Sequence, residues 1–155
     1  MPLTGTPILR IAVPGDADSV RAVVKAAYEP WIPVTGMRPL PLEADYDQLI
    51  EDGSVTVLIE PDTGRIAALI VLVPEAEALL IANVAVDPAF QRRGFGRILL
   101  AHAENVARSA CLRSVRLYTN RLMATNIALY GRLGYVITNR DSHEGRPVVH
   151  MTKAL

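Results

Sequence analysis

Apolar positions in this chain follow two periods, and the places where the period changes divide it into elements. Residues 8–13, ILRIAV, read as a first strand, with Pro2 and Pro7 marking a loose leader. Pro14-Gly15 turns the chain, and Asp16 is placed to cap a helix. Val20, Val23, Val24, Ala27 and Tyr28 then fall on one helical face. Pro30 and Pro33 are expected to end that helix within EPWIPVTGMRPLP, a segment holding four prolines and one glycine. A short helix is expected over residues 41–51, with Leu42, Tyr46, Leu49 and Ile50 inward. Residues 54–60 and 65–73 form a hairpin around Pro61-Asp62-Thr63-Gly64, a strong turn sequence.

The next apolar run, residues 79–86, has strand composition and is stopped by Asp87-Pro88, because proline cannot donate to a sheet ladder. Phe95, Ile98, Leu99, His102 and Val106 then repeat at helical spacing, giving a helix from Gly94 to about Ala110. The remainder reads as a strand at 115–119, a helix at 124–133 ended by Gly134, and a strand at 135–139. A polar turn at 141–146 leads into a last strand at 147–153. No repeat, linker or low-complexity segment interrupts the pattern, so residues 1–155 are read as one domain.

Composition narrows the class. Half of the residues are hydrophobic and 21% are charged, which excludes a disordered chain. Sixteen basic residues balance sixteen acidic ones, without the basic excess of a nucleic-acid binder. The single cysteine, Cys111, cannot form an internal disulfide, which fits a reducing cytoplasm, and it is read as a buried packing residue. No secretory signal is apparent, and the longest apolar runs are too short to span a bilayer, so a soluble, cytoplasmic protein with no membrane partner is expected.

The candidate chemistry begins where the 79–86 strand meets the following helix, at Gln91-Arg92-Arg93-Gly94-Phe95-Gly96. A helix start offers unpaired N–H groups and partial positive charge, and glycines let an anion reach the backbone. Arg92, Arg93 and Arg97 add formal charge. Leu99 stands where a dinucleotide loop needs its third glycine, and no Walker A lysine is present.

Gln/Arg-x-x-Gly-x-Gly after a strand resembles the acetyl-CoA pyrophosphate loop of the GCN5-related N-acetyltransferases, the GNAT superfamily. Asn126-Ile-Ala-Leu-Tyr130 with Gly134-Tyr135 resembles that family's second signature, and the likeness is clear over residues 79–137. The element order β-α-α-β-β-β-α-β-α-β-β matches the family architecture, an α/β (α+β) fold with a mixed central sheet flanked by helices. The resemblance implies that acetyl-CoA is the cosubstrate, with its pyrophosphate on residues 91–97. It also implies that the pantetheine arm lies along the main chain of Val84, Ala85 and Val86, with Asn126 in contact. Homodimers are frequent in the family.

Two roles follow from that likeness. Tyr130 would give a proton to the departing thiolate, although its spacing with Ile127, Leu129 and Leu133 equally suits a core aromatic. The acceptor, a small-molecule or peptide amine, would meet walls drawn from Tyr28, Trp31, Arg38 and Tyr46 on one side. Tyr118, Thr119 and Asn120 would form the other. Trp31 also suits a core plug, and the acidic run Glu43, Asp45, Asp47, Glu51, Asp52 suits a solvated face as well as a lure for a polyamine. The 80–86 segment holds no acid, and Asn83 could position a water but is a poor base. Glu75 and Glu77 suit a solvated turn, His102 a semi-buried position, and His143 and His150 no metal spacing. The alternative to an enzyme is a non-catalytic acyl-CoA-binding sensor or interaction module, which would need no Tyr130.

Overall fold

Every strand-like run joins one seven-stranded sheet in this computed structural model, which describes residues 5–155; Pro2 lies outside the described residues. The chain runs through β1 (Ile8–Ile11), α1 (Ala17–Tyr28), α2 (Ile32–Thr35) and α3 (Tyr46–Glu51). It continues with β2 (Val55–Ile59), β3 (Ile66–Pro74), β4 (Ala78–Val86), α4 (Phe95–Ser109) and β5 (Ser114–Asn120). It closes with α5 (Ala124–Arg132), β6 (Val136–His143) and β7 (Arg146–Ala154). The strands lie in the order β1-β2-β3-β4-β5-β7-β6, and only β4 and β5 pair in parallel.

The apolar runs of β2 and β3 are continuous because both faces of the central sheet are covered. Leu58, Ala68 and Ile70 pack on the α4 side with Phe95, Leu99 and Ala103. Val57, Leu69 and Val71 pack on the other side with Val20, Val24 and Tyr46. The buried stripe of α4 is Phe95, Leu99, Leu100, Ala103 and Ala107. It is rotated from the expected one because the two alanines let the helix sit close to the sheet, leaving Ile98, His102 and Val106 half-buried. No helix among the described residues is long and apolar enough to cross a membrane.

Several local expectations are corrected. Asp16 does not cap α1 with its side chain. Its carboxylate instead accepts two bonds from Arg10 (2.7 and 3.0 Å) and one from the Val13 N–H (2.8 Å). Pro30 and Pro33 do not stop helical structure: each occupies the first turn of a short piece, where a missing N–H costs nothing. The helix expected over 41–51 divides into a 3-10 turn at Leu40–Glu43 and α3, whose cap is Asp45, accepting the Gln48 N–H at 3.1 Å. Cys111 is exposed, at φ 58° in the turn beyond α4, and is not a packing residue. The polar turn expected at 141–146 shrinks to Glu144-Gly145, both with positive φ, as a two-residue hairpin requires. Asp141, Ser142 and His143 belong to β6, all eight residues of which are exposed, so no apolar alternation marked them.

The feature that shapes the rest lies in β4. Val71 pairs with Asn83 but Leu72 with Ile81, so Ala82 is an extra residue, a β-bulge. Before it, Leu79 and Ile81 pack on the α4 side; after it, Ala85 packs on the α1 side and Asn83 meets the tyrosines of α1 and α3.

One buried carboxylate ties the β2–β3 turn. Glu60, 1% exposed, accepts the N–H groups of Asp62 (2.7 Å) and Thr63 (3.0 Å) and the Thr63 hydroxyl (2.8 Å). The Asp62 N–H is the main cause that holds its pKa below the usual carboxylate value. A depressed folded pKa means stability that is present above the unfolded carboxylate range, about 4.3, and is lost as pH falls through the folded value. Urea unfolding should therefore show wild type more stable than Glu60→Gln at pH 7, with the gap narrowing as pH falls below about 4.

Candidate active site

The bulge bends β4 away from its parallel neighbour. Pairing between β4 and β5 covers only Ala78–Ile81 against Ser114–Leu117, although both strands run on. Beyond that point the β5-facing edge of β4 has no strand partner, and the Val84 carbonyl accepts the Tyr28 hydroxyl at 2.9 Å. The opening holds two cavities, which share the lining residues Tyr28, Val84, Asn126 and Tyr130.

The first is a cleft of about 700 Å³ between the β4 end, the 91–97 loop and α5. Asp87 caps the 3-10 turn Pro88–Phe90 that leads into the loop by accepting the Ala89 N–H at 2.9 Å. Arg92 (φ 65°) and Gly94 (φ 80°) take left-handed conformations that swing the chain into α4, whose N-terminus no side chain caps. Gln91, Arg92, Gly94, Phe95, Gly96 and Arg97 line the cleft, with Ala85 and Val86 opposite. A Cβ added at Gly96 would meet only Val86 Cγ2 at 3.8 Å, so the fold itself does not require a glycine there. Arg93 departs from the expected cradle. Its guanidinium lies 5.4 Å from the Phe90 ring centroid and 3.9 Å from Glu60, drawn by a buried acid, and it does not line the cleft. Arg132 does, and sequence reasoning missed it; its place on α5, six residues beyond Asn126, was the available signal.

The second is a cavity of about 280 Å³ between β4, β5 and the 39–49 segment. Tyr28, Tyr46, Asn83, Tyr118, Thr119 and Asn120 all line it, among aliphatic neighbours. Two expected wall residues do not. Trp31 is half-buried, is not a core plug and lines the cleft instead. Arg38 points outward to pair with Glu43. Its carbonyl, however, accepts two bonds from Arg146 (2.7 and 3.1 Å), a lining residue that no sequence motif marked.

The inner end of this cavity is a hydrogen-bonded chain. The Tyr28 hydroxyl shares its proton between Asn83 Oδ1 (2.5 Å) and the Val84 carbonyl. Asn83 Nδ2 donates to the Tyr46 hydroxyl (3.0 Å), which donates to the Pro41 carbonyl (2.6 Å). Burial raises the pKa of Tyr28 well above its usual value and that of Tyr46 to about 12. Tyr130, 8% exposed, is also pushed up to about 12 by burial, and its ring meets Tyr135 edge-on at 6.0 Å.

No carboxylate lines either cavity among the described residues. Glu75 is held by Arg116 (2.5 and 2.6 Å), which lowers its pKa. His102 is half-buried on α4, which lowers its pKa, and His150 contacts Asp141 at 2.9 Å; neither lines a cavity.

Residues 20–135 match the family described as the acetyltransferase (GNAT) family. The [ribosomal protein bS18]-alanine N-acetyltransferase of Salmonella typhimurium is 37% identical over 71 residues, 46% of this chain and 48% of that protein. Its Escherichia coli K12 counterpart is 33% identical over 72 residues, 46% and 49% of the two chains. The match thus spans about half the length of these curated relatives. Among solved structures, the PaiA N-acetyltransferase of Thermoplasma acidophilum in complex with coenzyme A superposes with a TM-score of 0.78 at 14% identity, covering 97% of this chain and all of that one. Ard1 of Thermoplasma volcanium gives 0.76 at 22% identity, with 97% and 99% covered. These two share the fold. With its sheet order, its splayed β4–β5 pair and a family match over most of its length, the chain belongs to the GNAT acetyltransferase family.

Proposed function

We propose that the protein is an acetyl-CoA-dependent N-acetyltransferase of the cytoplasm that passes an acetyl group to a small-molecule or peptide amine. The observation carrying this reading is the meeting of the two cavities at Tyr130 and the free edge of β4. The cleft suits the donor. Its uncapped helix start and the guanidinium groups of Arg92, Arg97 and Arg132 suit a pyrophosphate. The unpartnered backbone near Val84 and Val86 suits the amides of a pantetheine arm, whatever the side chains are. Coenzyme A in the Thermoplasma acidophilum relative agrees with this.

The acceptor then enters from the other cavity, and its nitrogen attacks the thioester carbon beside Tyr130. The C–S bond breaks with its electron pair going to sulfur, and the phenol protonates that sulfur. Burial keeps this acid loaded: a pKa near 12 leaves the hydroxyl protonated through pH 10. The enzyme reading is preferred over a sensor because a binding module needs neither Tyr130 at the junction nor a second cavity. The name of the bS18-alanine relatives, which carries an alanine acceptor, supports keeping a peptide amine within the proposed range.

Three outcomes are expected. Coenzyme A should raise the melting temperature, since it binds only the folded state; Gly96→Val should abolish that shift while the apo protein stays folded. Arg132→Ala should weaken coenzyme A binding by about 1–2 kcal/mol, one charge-assisted hydrogen bond, whereas Arg93→Ala should leave affinity nearly unchanged in calorimetry. Tyr130→Phe should lower kcat about 100-fold with little change in acetyl-CoA affinity, and turnover within about threefold of wild type would remove Tyr130 as the acid.

A further inference from the structure

The acceptor cavity is built unlike a site for a cation. Its walls are aliphatic (Leu40, Pro41, Leu49, Ile81, Leu117 and Val148), and its polar end presents hydroxyls and amides. The titratable groups facing it are Tyr28 from α1, Tyr46 from α3, Tyr118 from β5, Tyr130 from α5 and Arg146 from β7. Burial raises the pKa of three of these tyrosines, and the Arg146 guanidinium is already engaged by Glu144 at 3.2 Å and by the Arg38 carbonyl. Behind Tyr118, with ring centroids 5.9 Å apart, His150 is engaged by Asp141. The nearby acids of the 43–47 segment lie outside, where Glu43 meets Arg38 and Asp47 meets Arg21.

At the bulge, where a carboxylate could deprotonate an incoming ammonium, stands Asn83. It is buried and bound on both ends by tyrosines. An amide takes no proton at neutral pH. Dehydrating an alkylammonium here would leave its charge without a counter-ion, which is strongly unfavourable.

We propose that the enzyme accepts only the free base: its acceptor is a weakly basic primary amine, an α-amine beside a carbonyl or an arylamine, carried on a compact apolar body. Polyamines and lysine-type amines are excluded. The inference rests on the acetyltransferase reading above. The step balances without an enzyme base. The lone pair of R–NH2 forms the C–N bond, the C–S bond breaks, and Tyr130 gives its proton to sulfur. The phenolate recovers a proton from the new N–H through water, leaving the amide and free coenzyme A thiol.

The test uses wild-type protein, acetyl-CoA and three size-matched apolar primary amines: an amino-acid amide, an arylamine and an alkylamine. At pH 7 an α-amine of pKa about 8 is neutral in about 9% of molecules and a lysine-type amine of pKa about 10.4 in about 0.04%, so kcat/KM should favour the former about 200-fold. For the α-amine and the alkylamine, log kcat/KM should climb with unit slope up to the acceptor's own pKa, with no earlier inflection. The ranking of amino-acid amide against arylamine then identifies which source of weakly basic amine the cavity prefers. An alkylamine turned over as well as the α-amine at pH 7, or an inflection below the acceptor pKa, overturns the inference while leaving the acetyltransferase reading intact. Absence of transfer to all three amines together with no thermal shift by coenzyme A defeats the parent reading, and the inference with it.

Discussion

Pairing between β4 and β5 lasts four residues and then stops, and the candidate site depends on that interruption. A continuous parallel pair would satisfy every main-chain group of β4 and leave no opening. Ala82, the extra residue opposite β3, bends the strand and changes which face Asn83 and Ala85 present. The Val84 carbonyl is consequently met by a tyrosine hydroxyl from α1 rather than by a strand. Both cavities reach that edge, so the bulge links packing to the site.

The two cavities differ sharply in charge. One collects Arg92, Arg97 and Arg132 around a helix start without a cap. The other is walled by aliphatic groups and tyrosine hydroxyls, and its one guanidinium, Arg146, is paired with Glu144. In the proposed function an anionic donor takes the first and an uncharged acceptor the second, and Tyr130 lines both. Arg93 shows how the sequence can mislead about such a field, because a buried carboxylate and an aromatic ring draw its charge away from the cleft.

Much of this was legible in the sequence because β2 to α4 obey strong local rules. Apolar runs, Pro-Asp-Thr-Gly, Asp-Pro and the glycines at 94 and 96 each have a single dominant reading. The 29–45 segment was harder, since prolines usually break helices but sit easily in their first turns. β6 carries no buried face, so its last residues look like a turn. Ala82 left no mark, because a bulge is a register between two strands and is invisible in either alone. Arg146 and Arg132 enter the site through such long-range placement, whereas Asn126 and Tyr130, which line both cavities, were marked by the resemblance to the family's second signature and not by spacing alone.

The central claim is that the opened edge of β4 holds the donor, with its reactive sulfur beside Tyr130. A crystal structure with coenzyme A tests it most directly. The account predicts the pyrophosphate against residues 94–97, the pantetheine amides paired with the main chain near Val84 and Val86, and the sulfur within hydrogen-bonding reach of the Tyr130 hydroxyl. Coenzyme A bound elsewhere, or with its sulfur turned away from Tyr130, would contradict it.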